Sequence, residues 1–143
     1  MGPLGGLATN KMFDDKMTTQ DAYRFDGAKG GDQWKGRTKR YLMAKVPAAK
    51  AILEWAEAAD DKIIDDLMLK QVTDHVITDE QRELFNSAIW GFLSGCLTGE
   101  AETVFKRAED LNGVDSWRRI VRYIDHGRGI RLEALRSEVR SCT

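Results

Sequence analysis

Two histidines, two cysteines, a set of paired acids and a glycine cluster are the residues of this chain that could do chemistry, and none stands at a working spacing. His75 and His126 have no Cys or His at the short intervals a zinc site requires, and no Cys/His knuckle occurs. Cys96 lies in Leu93-Ser94-Gly95-Cys96-Leu97, on the apolar face of an expected helix, where a free thiol behaves as a small hydrophobe. Ser94 lacks the strand–turn–helix setting of a nucleophile elbow. Gly27, Gly30 and Gly31 lack the Lys-Ser/Thr ending of a phosphate loop and follow no strand. Asp60-Asp61 and Asp65-Asp66 have the spacing of a solvated helix face, with Mg²⁺ coordination as the alternative chemistry. The inventory predicts a protein that is not an enzyme and has no metal and no cofactor.

The elements that position these residues are helices. With 143 residues, 42% hydrophobic and 31% charged, the chain has the composition of one globular domain rather than of a disordered one. No stretch approaches the ~18 consecutive apolar residues of a membrane span. Residues 1–6 lack the basic and apolar regions of a signal peptide. Pro3 and Gly6 break the myristoylation pattern that Met1-Gly2 would open. Gly2-Pro3-Leu4-Gly5 has the look of a cloning remnant. Cys96 and Cys142 make no disulfide framework, which points to a reducing, cytoplasmic setting and no membrane association.

Strand signals are scarce, and apolar residues recur at helical spacing, so the fold class expected is all-α: a bundle of about six to seven short helices. Residues 1–22 read as a flexible arm, and Tyr23-Arg24-Phe25-Asp26-Gly27 as an extended piece ending in a turn. Asp32 is placed to cap a first helix carrying Trp34, Thr38, Tyr41 and Leu42, which ends near Val46 because Pro47 disfavours helix before it. A second helix over 48–59 carries Ile52, Trp55, Ala56 and Ala59. A third, over 61–76, carries Ile63, Ile64, Leu67, Met68 and Val72. Thr78-Asp79-Glu80-Gln81 is a capping box opening a fourth helix to about Leu97, with Phe85, Ile89, Phe92 and Cys96 inward. Thr98 is placed to cap a fifth with Ala101, Val104, Phe105, Ala108 and Leu111 inward. Asn112-Gly113 reads as its left-handed stop. Asp115 is placed to cap a sixth helix bearing Trp117, Ile120, Val121 and Ile124. A last helix is expected over 130–140, where residues 130–143 could start a linker or a second lobe.

Charge is segregated along the chain. Residues 54–83 hold ten acids against three bases, whereas 117–140 hold seven arginines against three acids, and 35–50 hold six bases and no acid. Ordinary solvated faces account for such runs. Two sharper readings are phosphate contacts by the basic segments 35–50 and 117–140, and head-to-tail pairing of acidic and basic faces on neighbouring copies. A net charge of −1 favours the second.

Three strings resemble one family. Phe25-Asp26-Gly27 followed by Trp34 at a helix start, then Ala88-Ile89-Trp90 running into Leu97-Thr98-Gly99-Glu100-Ala101, then Asn112-Gly113-Val114-Asp115-Ser116-Trp117, are similar in kind and order to retrotransposon Gag proteins of the copia type. The resemblance covers about residues 23–125. It implies a helical capsid domain, like the N-terminal lobe of a capsid protein, that associates with copies of itself into particles enclosing RNA. The knuckle of longer Gag chains is absent. On this reading Phe25, Trp34, Trp55, Phe92, Phe105 and Trp117 are structural anchors. The contact candidates are Trp90, Asp61, Asp65, Arg118, Arg119, Arg122 and Arg128; Trp90 lies about one position round from the Phe85–Ile89–Phe92 stripe, which leaves it core or contact.

Overall fold

Thr78 and Gln81 form the reciprocal cap that their spacing predicts. Thr78 Oγ1 accepts from the Gln81 N–H at 3.1 Å, and Gln81 Oε1 accepts from the Thr78 N–H at 3.0 Å. Two orphan donors are thereby satisfied, and a helix runs on from Asp79 to Cys96. It is one of six α-helices among the described residues, 12–74 and 76–126, of the computed structural model. In chain order they are α1 (Gly31–Lys45), α2 (Ala49–Ala58), α3 (Asp66–Thr73), α4 (Asp79–Cys96), α5 (Gly99–Phe105) and α6 (113–126). Two short 3-10 turns, Asp15–Thr19 and Asp21–Tyr23, precede them. Among the described residues there is no strand, and the architecture is the all-α bundle expected. The helix expected over 130–140 and the contact candidate Arg128 lie outside the described residues.

Helix α6 is the centre of the bundle. Val114, Ser116, Trp117 and Ile120 are fully buried, as are Asp115 and Arg118 to within a few per cent. A helix covered on almost every side must approach its neighbours closely. At Gly113 a Cβ would come within 2.4 Å of both the Asn86 carbonyl and the Trp90 nitrogen, so the crossing of α6 over α4 requires a glycine there.

That crossing corrects the reading of residues 111–115. Asn112 and Gly113 are not a left-handed stop of α5, which ends at Phe105 with Lys106 as its right-handed C-cap; the left-handed residue of this connection is Leu111, with φ of +68°. Gly113 belongs to the crossing, and Asn112 caps α6. The Ser116 N–H donates to the Asn112 carbonyl at 3.1 Å, and the Asp115 N–H to Asn112 Oδ1 at 3.3 Å. Asp115 therefore sits in the first turn of α6 rather than capping it. Leu111, expected on the inward stripe of α5, is 58% exposed, and α5 ends six residues before it. Thr98 precedes α5 as expected but makes no side-chain cap.

Three further expectations are corrected. Gly30, in a left-handed conformation, precedes α1, and Asp32 lies in its first turn. The third helix starts at Asp66, not Asp61, with Asp65 as its cap: Asp65 Oδ1 accepts from the Met68 N–H at 2.8 Å. Its inward residues are Leu69 and Thr73, while Leu67 and Val72 face out. Residues 12–22, the described part of the flexible arm expected over 1–22, are packed on the bundle. Phe13 is buried edge-on to Phe92 at 5.8 Å between ring centroids, and the Asp14 N–H donates to the Tyr41 hydroxyl at 2.7 Å.

Candidate functional site

The three strings of the Gag resemblance, far apart in the chain, meet at one point. Phe25 pairs as an isolated parallel bridge with Leu97: its N–H donates to the Cys96 carbonyl and its carbonyl accepts from the Thr98 N–H, both at 3.0 Å. One residue on, the Asp26 carbonyl accepts from the Ala101 N–H at 3.3 Å. Gly27, at φ +97°, lies so close that a Cβ would stand 2.8 Å from the Ala101 nitrogen. The turn expected at Phe25-Asp26-Gly27 is thus laid directly on Leu97-Thr98-Gly99-Glu100-Ala101. The Phe25 ring stacks on Trp34 at 5.4 Å, and Trp34 meets Trp117 at 5.8 Å. Trp34 Nε1 donates to the Tyr23 carbonyl at 2.8 Å, and the Tyr123 hydroxyl to the Gly27 carbonyl at 2.9 Å. Aromatic rings of this size each bury about 150–250 Å².

Of the expected anchors, Phe25, Trp34, Phe92, Phe105 and Trp117 are buried. Trp55 is partly buried and packs against the core, beside the buried Leu53 and Ala56. Trp90 is half-buried too, with its ring 5.6 Å from Phe105.

A second cluster is ionic. The buried Asp115 carboxylate accepts from Arg118 Nε at 2.7 Å on one oxygen and from Arg119 Nε at 2.8 Å on the other. The Ile64 N–H donates to it at 2.9 Å. Burial pushes this carboxyl up, but the hydrogen bonds from Arg118, Ile64 and Arg119 outweigh it and hold it below the usual carboxylate range. Asp60 joins from the far side of the loop. Its carbonyl accepts from Arg118 Nη1 at 2.7 Å and its carboxylate from Arg122 Nε at 3.2 Å. Asp60 has φ of +56°, a conformation that aspartate tolerates better than most residues. Asn112 Nδ2 completes the tie by donating to the Ile64 carbonyl at 2.8 Å.

Among the described residues, several members of the acidic and basic segments pair with one another inside the chain. Lys39 reaches Glu57 at 2.9 Å and Glu54 at 3.6 Å, and Lys35 reaches Glu57 at 3.4 Å and Asp125 at 3.8 Å. Arg37 donates to the Ala22 carbonyl at 2.8 Å. Of the contact candidates, Arg118 is buried and, with Arg122, bonds to Asp60 of the loop, while Arg119 pairs with Asp115 on its own helix. Asp65 caps α3, and Asp61 is exposed. Five large apolar residues are exposed as well: Ile63 and Leu67 at 64% and 63%, with Val72, Val76 and Leu111.

One concavity collects guanidinium groups. A groove of about 390 Å³ is lined by Arg107, Arg118, Arg119 and Arg122 together with Ile63 and Tyr123. Asp61 and His126 also border it. Arg107 and Tyr123 were not among the expected site residues. Arg107 falls between the two basic segments, and no run of charge marks it; Tyr123 could have been found from its i+4 spacing to Arg119. Elsewhere the chemistry is sparse. Cys96 is buried, and that burial pushes its thiol up to about 12, far from a reactive thiolate. Among the described residues no three His, Cys, Asp or Glu side chains stand as a metal-holding group, and no helix is long and apolar enough to cross a membrane. No family model matches the chain, and no curated protein and no solved structure matches it either.

Proposed function

We propose that the chain is a Gag-like capsid domain: a structural, non-catalytic protein that associates with copies of itself to build a cytoplasmic particle enclosing RNA. The observation that supports this reading is the meeting of the Phe25-Asp26-Gly27, Trp34, Leu97-Thr98-Gly99-Glu100-Ala101 and Trp117 strings in one packed node. Residues that resemble a family motif in sequence are here the ones that close the fold, which is what a shared architecture requires of its motif.

Several of the charged side chains pair within the chain, so the contact surface on this reading draws on the exposed apolar residues Ile63, Leu67, Val72, Val76 and Leu111. The test is light scattering across protein concentration and salt, with electron microscopy of the same samples. The expected result is mass that grows with concentration and persists at high salt. A monomer throughout, with no particles, overturns the proposal.

A further inference from the structure

We propose that the arginine groove beside α6 is an anion site that takes the phosphate group of a nucleotide unit. The inference stands on the groove's own geometry and not on the capsid reading.

Four guanidinium groups border a single concavity, three from α6 and Arg107 from the turn after α5. Their neutralisation is incomplete. The Asp115 carboxylate is shared by Arg118 and Arg119, and the bonds found for Arg119 and Arg122 engage Nε. Each guanidinium has five N–H donors in a planar fork, so the Nη groups of Arg119 and Arg122 keep donors with no partner among the described residues. Arg107 has no ion pair among them. Such forks match the oxygens of a phosphate in pairs.

The acids that hold Arg118, Arg119 and Arg122 also fix them before any ligand arrives, which reduces the ordering cost of binding. The Tyr123 hydroxyl is tied to Gly27, and Ile63 and Val104 also line the groove, so its lining is apolar as well as cationic. A volume of about 390 Å³ exceeds what a bare phosphate needs and falls in the range of sites for small organic ligands. Asp61 is the one carboxylate among the lining residues, against four arginines.

The experiment titrates the chain, at low salt, with inorganic phosphate, adenosine monophosphate and a short oligouridylate, read by calorimetry or by amide shifts. Saturable binding of adenosine monophosphate, with phosphate competing, is expected. The exposed pair Arg107→Glu with Arg122→Glu should weaken it about tenfold or more. Arg40→Glu with Lys50→Glu, an equal change of net charge away from the groove, should leave it within about twofold. Arg107→Gln, which removes the charge without reversing it, gives a second reading should the double variant fail the circular dichroism check for folding. Its expected effect is a loss of about threefold. Oligouridylate binding far tighter than the mononucleotide makes a strand the occupant, and equal affinities make it a free nucleotide; both uphold the site. No saturable binding by any probe, or equal weakening by the two double variants, overturns it. Particle formation is scored separately: its absence counts against the capsid reading alone.

Discussion

Two regions are tied to α6 by different physics. The node of Phe25, Trp34 and Trp117 is held by stacked and tilted rings and by backbone hydrogen bonds to the segment after α4. The loop from Asp60 to Ile64 is held by charge: both its ends are bonded to Asp115, Arg118, Arg122 or the cap Asn112. Apolar contacts are non-directional and indifferent to protonation, whereas the part of the loop's attachment that runs through Asp115 weakens when that carboxylate is protonated. The same helix thus presents one side that acid does not disturb and one that it does.

The largest expected effect breaks the first region. Trp117→Ala, at a fully buried ring, should cost about 4 kcal/mol in urea unfolding. The loss should be the same at neutral and mildly acid pH.

Asp115→Asn breaks the second region and should cost about 3 kcal/mol at neutral pH, because it leaves Arg118 buried without its counter-charge. The pH dependence follows from the lowered carboxyl of Asp115. A group whose folded value lies below its unfolded value contributes in full above the ordinary carboxylate range. It loses that contribution as the pH falls through the folded value. Wild type and Asp115→Asn should therefore converge in strong acid. A gap that stays constant would mean that the carboxylate charge does not hold the loop.

The smallest effect on stability sharpens the contrast by touching neither attachment. Leu67→Ser, at an exposed position, should change unfolding by no more than about 0.5 kcal/mol. It should nevertheless reduce the concentration-dependent mass seen by light scattering. An unchanged mass would remove Leu67 from the contact surface.

Local signals in the sequence were the reliable ones. The Thr78–Gln81 cap, the stop before Pro47 and the Gly27 turn each depend on a few neighbouring residues, and each is where its chemistry puts it. Periodicity misled where the tertiary context overrode it. Of the expected stripe Ile63, Ile64, Leu67, Met68 and Val72, Ile64 is buried but Ile63, Leu67 and Val72 are exposed, because the helix begins only at Asp66 and turns Leu69 and Thr73 inward. Asp115 looked like a cap because it precedes an apolar helix. Its i+3 and i+4 arginines, Arg118 and Arg119, were the visible sign of its other role. The internal pairing of Lys35 and Lys39 with Glu57 had no such sign, since it depends on how α1 packs against α2.

The burial of α6 sets an order on folding. Its partners are distant in sequence: Trp117 meets Trp34, Asp115 meets Ile64, and Gly113 meets Asn86. Contacts of this separation carry the entropy of closing long loops before they return any stability, so they form late. On the ribosome, helices α1 to α5 emerge first, with the apolar faces that α6 will cover still open to water. The bundle closes only when residues 113–126 arrive, which makes the last described helix the step that commits the chain to its fold.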